Sequence, residues 1–314
     1  MSGKSPVIVW FRRDLRLTDH PALDMAAQSG RPVIPLFIRD DQIDDLGAAP
    51  KWRLGLGIET LADRLAAISS RLILRQGKAL DVIRAVVAQT GAAAVYWTRL
   101  YDPNSIQRDA RIKNALIEEG VDARSFGGHL MFEPWTVETK AGGYYKVYTP
   151  FWNAVKNRGV GAPVGGPAAL TQPATWPDSD DIAQWKMGAA MQRGARIVRP
   201  FVQLGEDAAQ ARLEKFIAHG IAEYRRNRDL PGVDGTSNLS ENLALGEISP
   251  RQCWHAGQRA LNEGKSGAET FLKELVWREF AYHLMYHTPR ILTENWREEW
   301  KSFPWNQDER RAEV

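Results

Sequence analysis

The sequence predicts an α/β domain on a doubly wound, parallel five-stranded sheet, followed by an all-α domain. Three observations carry that expectation. Short apolar runs alternate with helical patterns over residues 1–130, and residues 159–177 are rich in Gly, Pro, Ala and Thr without sustained periodicity. Beyond Phe201 every periodic segment has helical spacing. Apolar runs that lack polar alternation mark strands buried on both faces, and strand–helix alternation favours a parallel sheet.

Taken in order, residues 7–11, 33–38, 72–74 and 93–97 read as strands, with 121–126 as a fifth. Helical stretches lie at 52–69, 79–89 and 103–119. Neither GxGxxG nor GxxxxGK[ST] occurs, so the α/β domain carries no dinucleotide fingerprint and no P-loop. This domain is assigned to residues 1–133 and a connector to 134–200, with no internal repeat anywhere. The helical domain takes 201–314, with helices expected at 206–227, 238–245, 250–262 and about 268–286. Ser249-Pro250-Arg251-Gln252 spells a capping box with proline at the first helical position. Ser266-Gly267-Ala268-Glu269 spells another, and the Thr236-Ser237 hydroxyls stand where the helix after the Asp234-Gly235 turn should begin.

Composition bounds the function. A chain of 314 residues with 44% hydrophobic residues is large enough for two domains, and no apolar run is long enough to span a bilayer. The N-terminus lacks a signal-peptide pattern, and the lone Cys253 excludes an intramolecular disulfide, which suits a reducing cytoplasm. Net charge is only +3, and residues 201–314 carry 15 basic against 18 acidic side chains. A nucleic-acid surface there must be a local patch, for which Arg225, Arg226 and Arg228 are the candidates.

On a helix over 268–286, Phe271, Glu274, Arg278, Ala281 and Met285 fall on one stripe with Trp277 at its border. The plain reading is an i,i+4 ion pair of Glu274 with Arg278. A carboxylate, a guanidinium and an indole gathered on one half-buried stripe fit a polar ligand site better. Indole gives a flat wall for stacking, and a carboxyl group can hydrogen-bond a pyrimidine edge. His283 and His287 are spaced along one helical edge without a third metal ligand and read as structural.

Three motifs, in order, carry a resemblance. Trp10-Phe11-Arg12-Arg13-Asp14-Leu15-Arg16-Leu17 is the first, and Tyr224 through Gly235-Thr236-Ser237, Leu239-Ser240 and Ser249-Pro250-Arg251 the second. Glu274-Leu275-Val276-Trp277-Arg278-Glu279-Phe280 is the third. Together they resemble the DNA photolyase/cryptochrome family. The resemblance implies bound FAD, with Tyr224, Thr236, Ser237, Asn238, Leu239, Ser240, Phe271 and Arg278 at the cofactor. It implies UV-damaged DNA as partner, with Trp277 stacking on a cyclobutane pyrimidine dimer and Glu274 hydrogen-bonding its bases. Arg228 would hold a DNA phosphate, Ala281 would border the DNA, and Trp300 would serve electron transfer at the surface.

The implied activity is light-driven repair by a monomeric enzyme, a deoxyribodipyrimidine photolyase. A cryptochrome-like photoreceptor and an inactive truncated fragment are the alternatives. An antenna chromophore, folate or deazaflavin, would sit in the α/β domain. There Ser105 replaces a carboxylate of folate-binding members, and His20 takes a place where Asn is commoner. Residues 146–151 resemble a family segment to which only packing is assigned. The family continues through further helices past the position of Val314, so the chain reads as a fragment or a truncated product.

Overall fold

The computed structural model describes residues 4–304 and 306. Five parallel strands, β1 (Val7–Phe11), β2 (Val33–Arg39), β3 (Ile73–Gln76), β4 (Ala94–Thr98) and β5 (Asp122–Phe126), form one sheet in the order β3-β2-β1-β4-β5. Strand β1 is central: Val7 pairs with both Val33 and Ala94, and Phe11 with Phe37. Its side chains alternate between two cores, as the pleat requires. Val7, Val9 and Phe11 pack with α1 (Pro21–Gln28) and α2 (Ala48–Ala67) on one face. Ile8 and Trp10 pack with α3 (Ala79–Thr90) and α4 (Pro103–Glu118) on the other. Burial on both sides explains why the strands read as unbroken apolar runs.

Helix α1 escaped the sequence reading. It is eight residues long, and its cap is His20, whose Nδ1 accepts the Leu23 N–H at 3.1 Å. His20 Nε2 lies 2.8 Å from Asp14 Oδ2. Burial by itself would raise the Asp14 carboxyl, but His20 and the Arg12 N–H hold it well below the usual carboxylate range.

The second domain is helical, with α5 (Tyr148–Val155), α6 (Gly205–Lys215), α7 (Ser240–Leu245), α8 (Pro250–Asn262) and α9 (Ala268–His287) as its main elements. Three expectations are corrected here. The helix expected at 206–227 is interrupted: after α6 come a wide turn at Phe216–Gly220, a tight turn at Ile221–Glu223 and one helical turn at Tyr224–Asn227. The Ser266 box is not formed, because the Ser266 hydroxyl donates to Ala222 O and Gly267 takes the cap position. Gly267 fits there because an added Cβ would lie 2.0 Å from Ile221 O. Thr236 and Ser237 do not cap α7, whose cap residue Leu239 supplies no side-chain bond. The Ser249 capping box is present as expected.

Residues 159–177 carry no regular element, as their composition suggested. Helix α5, placed by sequence within the connector, belongs to the helical core. Phe151, Trp152 and Val155 pack there with Leu275, Val276 and Phe280 of α9.

A polar seam joins the two domains. Arg16, fully buried, donates to the carbonyls of Asp19, Gly128 and Gly246. Arg53 of α2 makes a two-pronged pair with buried Glu247, at 2.9 and 2.6 Å. Glu206 accepts the backbone N–H groups of Leu17 and Thr18 at 2.8 and 3.0 Å, and Arg251 pairs with buried Asp19 at 2.6 Å. Gly246 closes α7 with φ of +68° against the opening-signature loop.

Candidate functional site

Helix α9 is the spine of the site. Its apolar side, Phe271, Leu272, Leu275, Val276 and Phe280, is buried against α5 and α8, which turns Glu274, Trp277 and Arg278 toward the remaining surface. Trp277 is 45% exposed. One face of its indole is covered by Tyr148 of α5, with ring centroids 3.7 Å apart and planes within 5°. Phe280 meets it edge-on at 5.8 Å. What solvent reaches is the other face.

Glu274, half-buried, pairs with Arg228, whose guanidinium also lies 5.7 Å from the centre of the Tyr224 ring. The i,i+4 pair of Glu274 with Arg278 is not formed. Arg278 turns instead to His129, donating to its carbonyl at 3.0 Å and meeting its Nε2 at 3.2 Å. It also reaches Glu279 Oε1 at 3.2 Å and lies over the Tyr282 ring. Ala281, one turn on, is exposed.

Glu279 and His129 are functional-looking groups that the sequence reading missed. Glu279 is buried and accepts the N–H groups of Met131 and Phe132 at 2.8 and 3.1 Å. Burial pushes its carboxyl up to about 7, against the pull of Arg278 and those N–H groups. His129 is held neutral by burial and by Arg278, and shares a 2.8 Å contact with the Tyr282 hydroxyl. A polar residue on the apolar side of a helix is a weak sequence signal, and Glu279 gave only that.

Tyr224, Leu239 and Phe271 are buried, and the rings of Tyr224, Phe271 and Phe216 meet at 5.0–6.0 Å. Beside Phe216 lies a cavity of about 340 Å³ lined by Thr236, Ser237 and Asn238 together with Arg212, Lys215 and His219. The Thr236 hydroxyl donates to Asn238 Oδ1 at 3.0 Å, and Asn238 Nδ2 donates to Asp234 at 2.9 Å. Ser240 is exposed at the start of α7. The hydroxyls and cations of this open cavity, which Asp234 also lines, suit an anionic group such as a diphosphate. Trp300 stands apart on a short helical turn, Glu298–Ser302, and is 57% exposed.

Among the described residues no cluster of three or more possible metal ligands occurs, and His283 and His287 make packing and hydrogen-bond contacts instead. His283 Nε2 accepts the Tyr145 N–H at 3.2 Å, and His287 stacks on Tyr144 at 4.7 Å. Burial holds His283 near 4, below its ordinary 6.5. A depressed histidine binds fewer protons folded than unfolded, so its contribution is present above pH 6.5 and is lost as pH falls toward 4. Glu279, raised, acts in the opposite sense, losing stability as pH rises from 4.5 toward 7. The expected result is that His283→Gln removes about 2 kcal/mol of the stability change between pH 7.5 and 5 relative to wild type. Urea unfolding of both proteins at the two pH values measures it, and parallel pH profiles would contradict it.

In the α/β domain, a cleft of about 540 Å³ opens at the carboxyl ends of β1, β2 and β4. This is the switch point, where the strand order reverses between β1 and β4. Its walls include Trp10, Phe37, Leu54 and Leu100, and it reaches Glu241 and Tyr282 of the helical domain. Trp10 lies under the guanidiniums of Arg12 and Arg108 at 4.5 and 4.9 Å. Ser105, the departure noted above, is buried and donates its hydroxyl to Gln42 at 3.2 Å.

A parallel α/β domain with a switch-point cleft, clamped to an all-α domain that presents an indole beside a carboxylate, is a two-domain plan with two separate places for ligands. Residues 7–171 match the family model described as DNA photolyase, and residues 271–314 match the FAD binding domain of DNA photolyase. The chain belongs to the DNA photolyase family. It is 40% identical to a deoxyribodipyrimidine photo-lyase of Agrobacterium fabrum, an alignment covering 98% of this chain and 64% of the relative. It is 30% identical to cryptochrome-2 of Arabidopsis thaliana, over 98% of this chain and 53% of that one. The crystal structure of a bacterial class III photolyase from Agrobacterium tumefaciens superposes with a TM-score of 0.95 at 39% identity, covering all of this chain and 65% of that one. The chain thus spans less than two thirds of the length of these relatives.

Proposed function

We propose that the protein this chain represents repairs cyclobutane pyrimidine dimers in DNA, driven by light, with FAD as cofactor. The observation that carries this reading is the pairing of a half-exposed indole, Trp277, with the carboxylate of Glu274 one turn away on the same helix. An open aromatic face next to a hydrogen-bonding carboxylate suits a base extruded from a duplex, and not an intact stack. Trp277 would stack on the dimer and Glu274 would bond its pyrimidine edges. Arg228 would exchange its pair with Glu274 for a DNA phosphate, leaving that carboxylate free toward the base.

Thr236, Ser237, Asn238 and Ser240 would hold the diphosphate of FAD, with Tyr224, Leu239, Phe271 and Arg278 around it. When bound, FAD supplies one-electron donation to the dimer under light and recovers the electron after the ring opens. Trp300, exposed, would pass electrons inward from solution. The switch-point cleft would take the antenna chromophore, folate or deazaflavin, its apolar walls suiting a flat ring. The protein would act as a monomer in the cytoplasm, where the buried Cys253 stays a thiol.

The test uses the full-length protein with FAD and a duplex carrying one dimer. Light-dependent splitting is expected, and Trp277→Ala should weaken dimer-duplex binding about 10-fold, the worth of one base stack at ~1–3 kcal/mol. Flavin photochemistry without dimer binding or splitting would assign the protein to signalling instead.

A further inference from the structure

We infer that Tyr148 is a positioning residue for lesion recognition, fixing Trp277 so that one indole face is offered to a base. The inference rests on the repair reading above and deepens it. Tyr148 is the first residue of α5, in a stretch that the sequence marked only for packing. Its ring is parallel to the Trp277 indole within 5° at 3.7 Å, the closest ring pair among the described residues. Its hydroxyl donates to Lys273 O, one turn before Trp277 on α9, at 2.7 Å. Burial and the nearby Glu274 charge push that hydroxyl well above its ordinary value, so it stays protonated and keeps donating.

The two contacts do different things. The hydroxyl anchors the Tyr148 ring to the backbone of the helix that carries Trp277. The stacked ring then denies the indole its other rotamers, and Phe280 closes one edge. A half-exposed tryptophan without such backing would sample several orientations, and each base that bound would have to order it. With Tyr148 behind it, the indole is already in place, and the stacking slot is single-sided. Tyr148 is assigned no contact with the base. It acts through Trp277.

Such a residue should influence lesion binding and leave backbone binding alone, since phosphate contacts carry no lesion information. The experiment measures affinities of full-length, FAD-loaded wild type, Tyr148→Ala, Tyr148→Phe and Tyr148→Trp for one duplex with and without a single dimer. Tyr148→Ala should weaken dimer-duplex binding about 5- to 10-fold and undamaged-duplex binding less than 2-fold, while Phe and Trp restore most of the discrimination. Trp277→Ala combined with Tyr148→Ala should be no worse than Trp277→Ala alone, because both act through one indole. Thermal melts separate folding from recognition: if Tyr148→Ala fails to fold, Tyr148→Phe and Tyr148→Leu, which differ only in a ring to stack, make the same comparison. Equal loss on both duplexes, unchanged discrimination in Tyr148→Ala or Tyr148→Leu, or additive losses in the double variant would overturn the inference. A wild type that does not prefer the dimer would instead overturn the repair reading.

Discussion

Gly246→Ala is expected to unfold the junction between the two domains, at a cost of roughly 3–5 kcal/mol. Two costs act together. Gly246 has φ of +68°, a left-handed conformation that an alanine enters only with strain. A Cβ there would also lie 2.1 Å from Arg13 O and 2.7 Å from Asp14 Cα, and both are backbone atoms in the opening-signature loop. A flexible side chain could swing aside, but this loop is tied down by Arg12 to Asp109 and by Leu15 N–H to Leu245 O. Total stabilities of roughly 5–15 kcal/mol leave little after such a loss. Thermal unfolding of the purified variant checks this, and a melting temperature within a few degrees of wild type would refute it. Gly264→Ala is an informative control, since its φ of +78° is also left-handed but its Cβ would meet open space. It should cost only about 1 kcal/mol.

Arg53→Ala is the second large effect. It would leave Glu247, wholly buried, with Asn242 Nδ2 at 2.6 Å as its remaining side-chain donor. Removing one member of a buried pair costs about 3–5 kcal/mol, mostly for the charge left behind. Replacing both members tells the two contributions apart. Arg53→Met with Glu247→Leu removes charge and countercharge together, and should recover more than half the loss. Chemical denaturation of the three variants at one pH provides the comparison. If the double variant is as unstable as Arg53→Ala, the guanidinium's bonds to Gln203 O and Glu241 carry the seam, and the pair with Glu247 does not.

Much of this architecture is legible in the sequence. Strands β1, β2 and β4 declare themselves because burial on both faces leaves unbroken apolar runs. Helix α8 declares itself because Ser249, Pro250 and Gln252 write its start in side-chain chemistry. The failures have physical causes too. Helix α1 is short, and its cap is a histidine, a residue that rarely does this. The segment 206–227 keeps helical periodicity in its side chains, but Gly220 lies tightly over the Phe216 ring where the backbone loosens into a wide turn.

The candidate site was legible as a set of residues and not as a set of contacts. Spacing along α9 put Glu274, Trp277 and Arg278 together, and all three lie off its buried side, whereas Phe271, placed on the same stripe, is buried in the core. Spacing also offered Arg278 as the partner of Glu274. The actual partner, Arg228, comes from another segment, because His129 O and Glu279 draw Arg278 away. Tyr148 illustrates the same limit. Nothing in a one-dimensional pattern ties a residue of the crossover to an indole on α9, and only the packing of α5 on that helix brings the rings together.

The polar seam bears on how the chain is made. Arg16 and Arg53 lie in the part synthesised first, while Glu206, Gly246, Glu247 and Arg251 lie in the part that follows. An apolar seam would leave the first part sticky while it waits; the Arg53 guanidinium, whose acceptors Gln203 O, Glu241 and Glu247 all come later, can hold water meanwhile, whereas Arg16 already has Asp19 O and Gly128 O and gains only Gly246 O. The same bonds demand direction and distance, so a misplaced helical domain finds few substitutes. The seam therefore resembles a keyed lock more than an adhesive: its charged groups suit a nascent half that meets water first, and its bond directions favour one orientation of the other half.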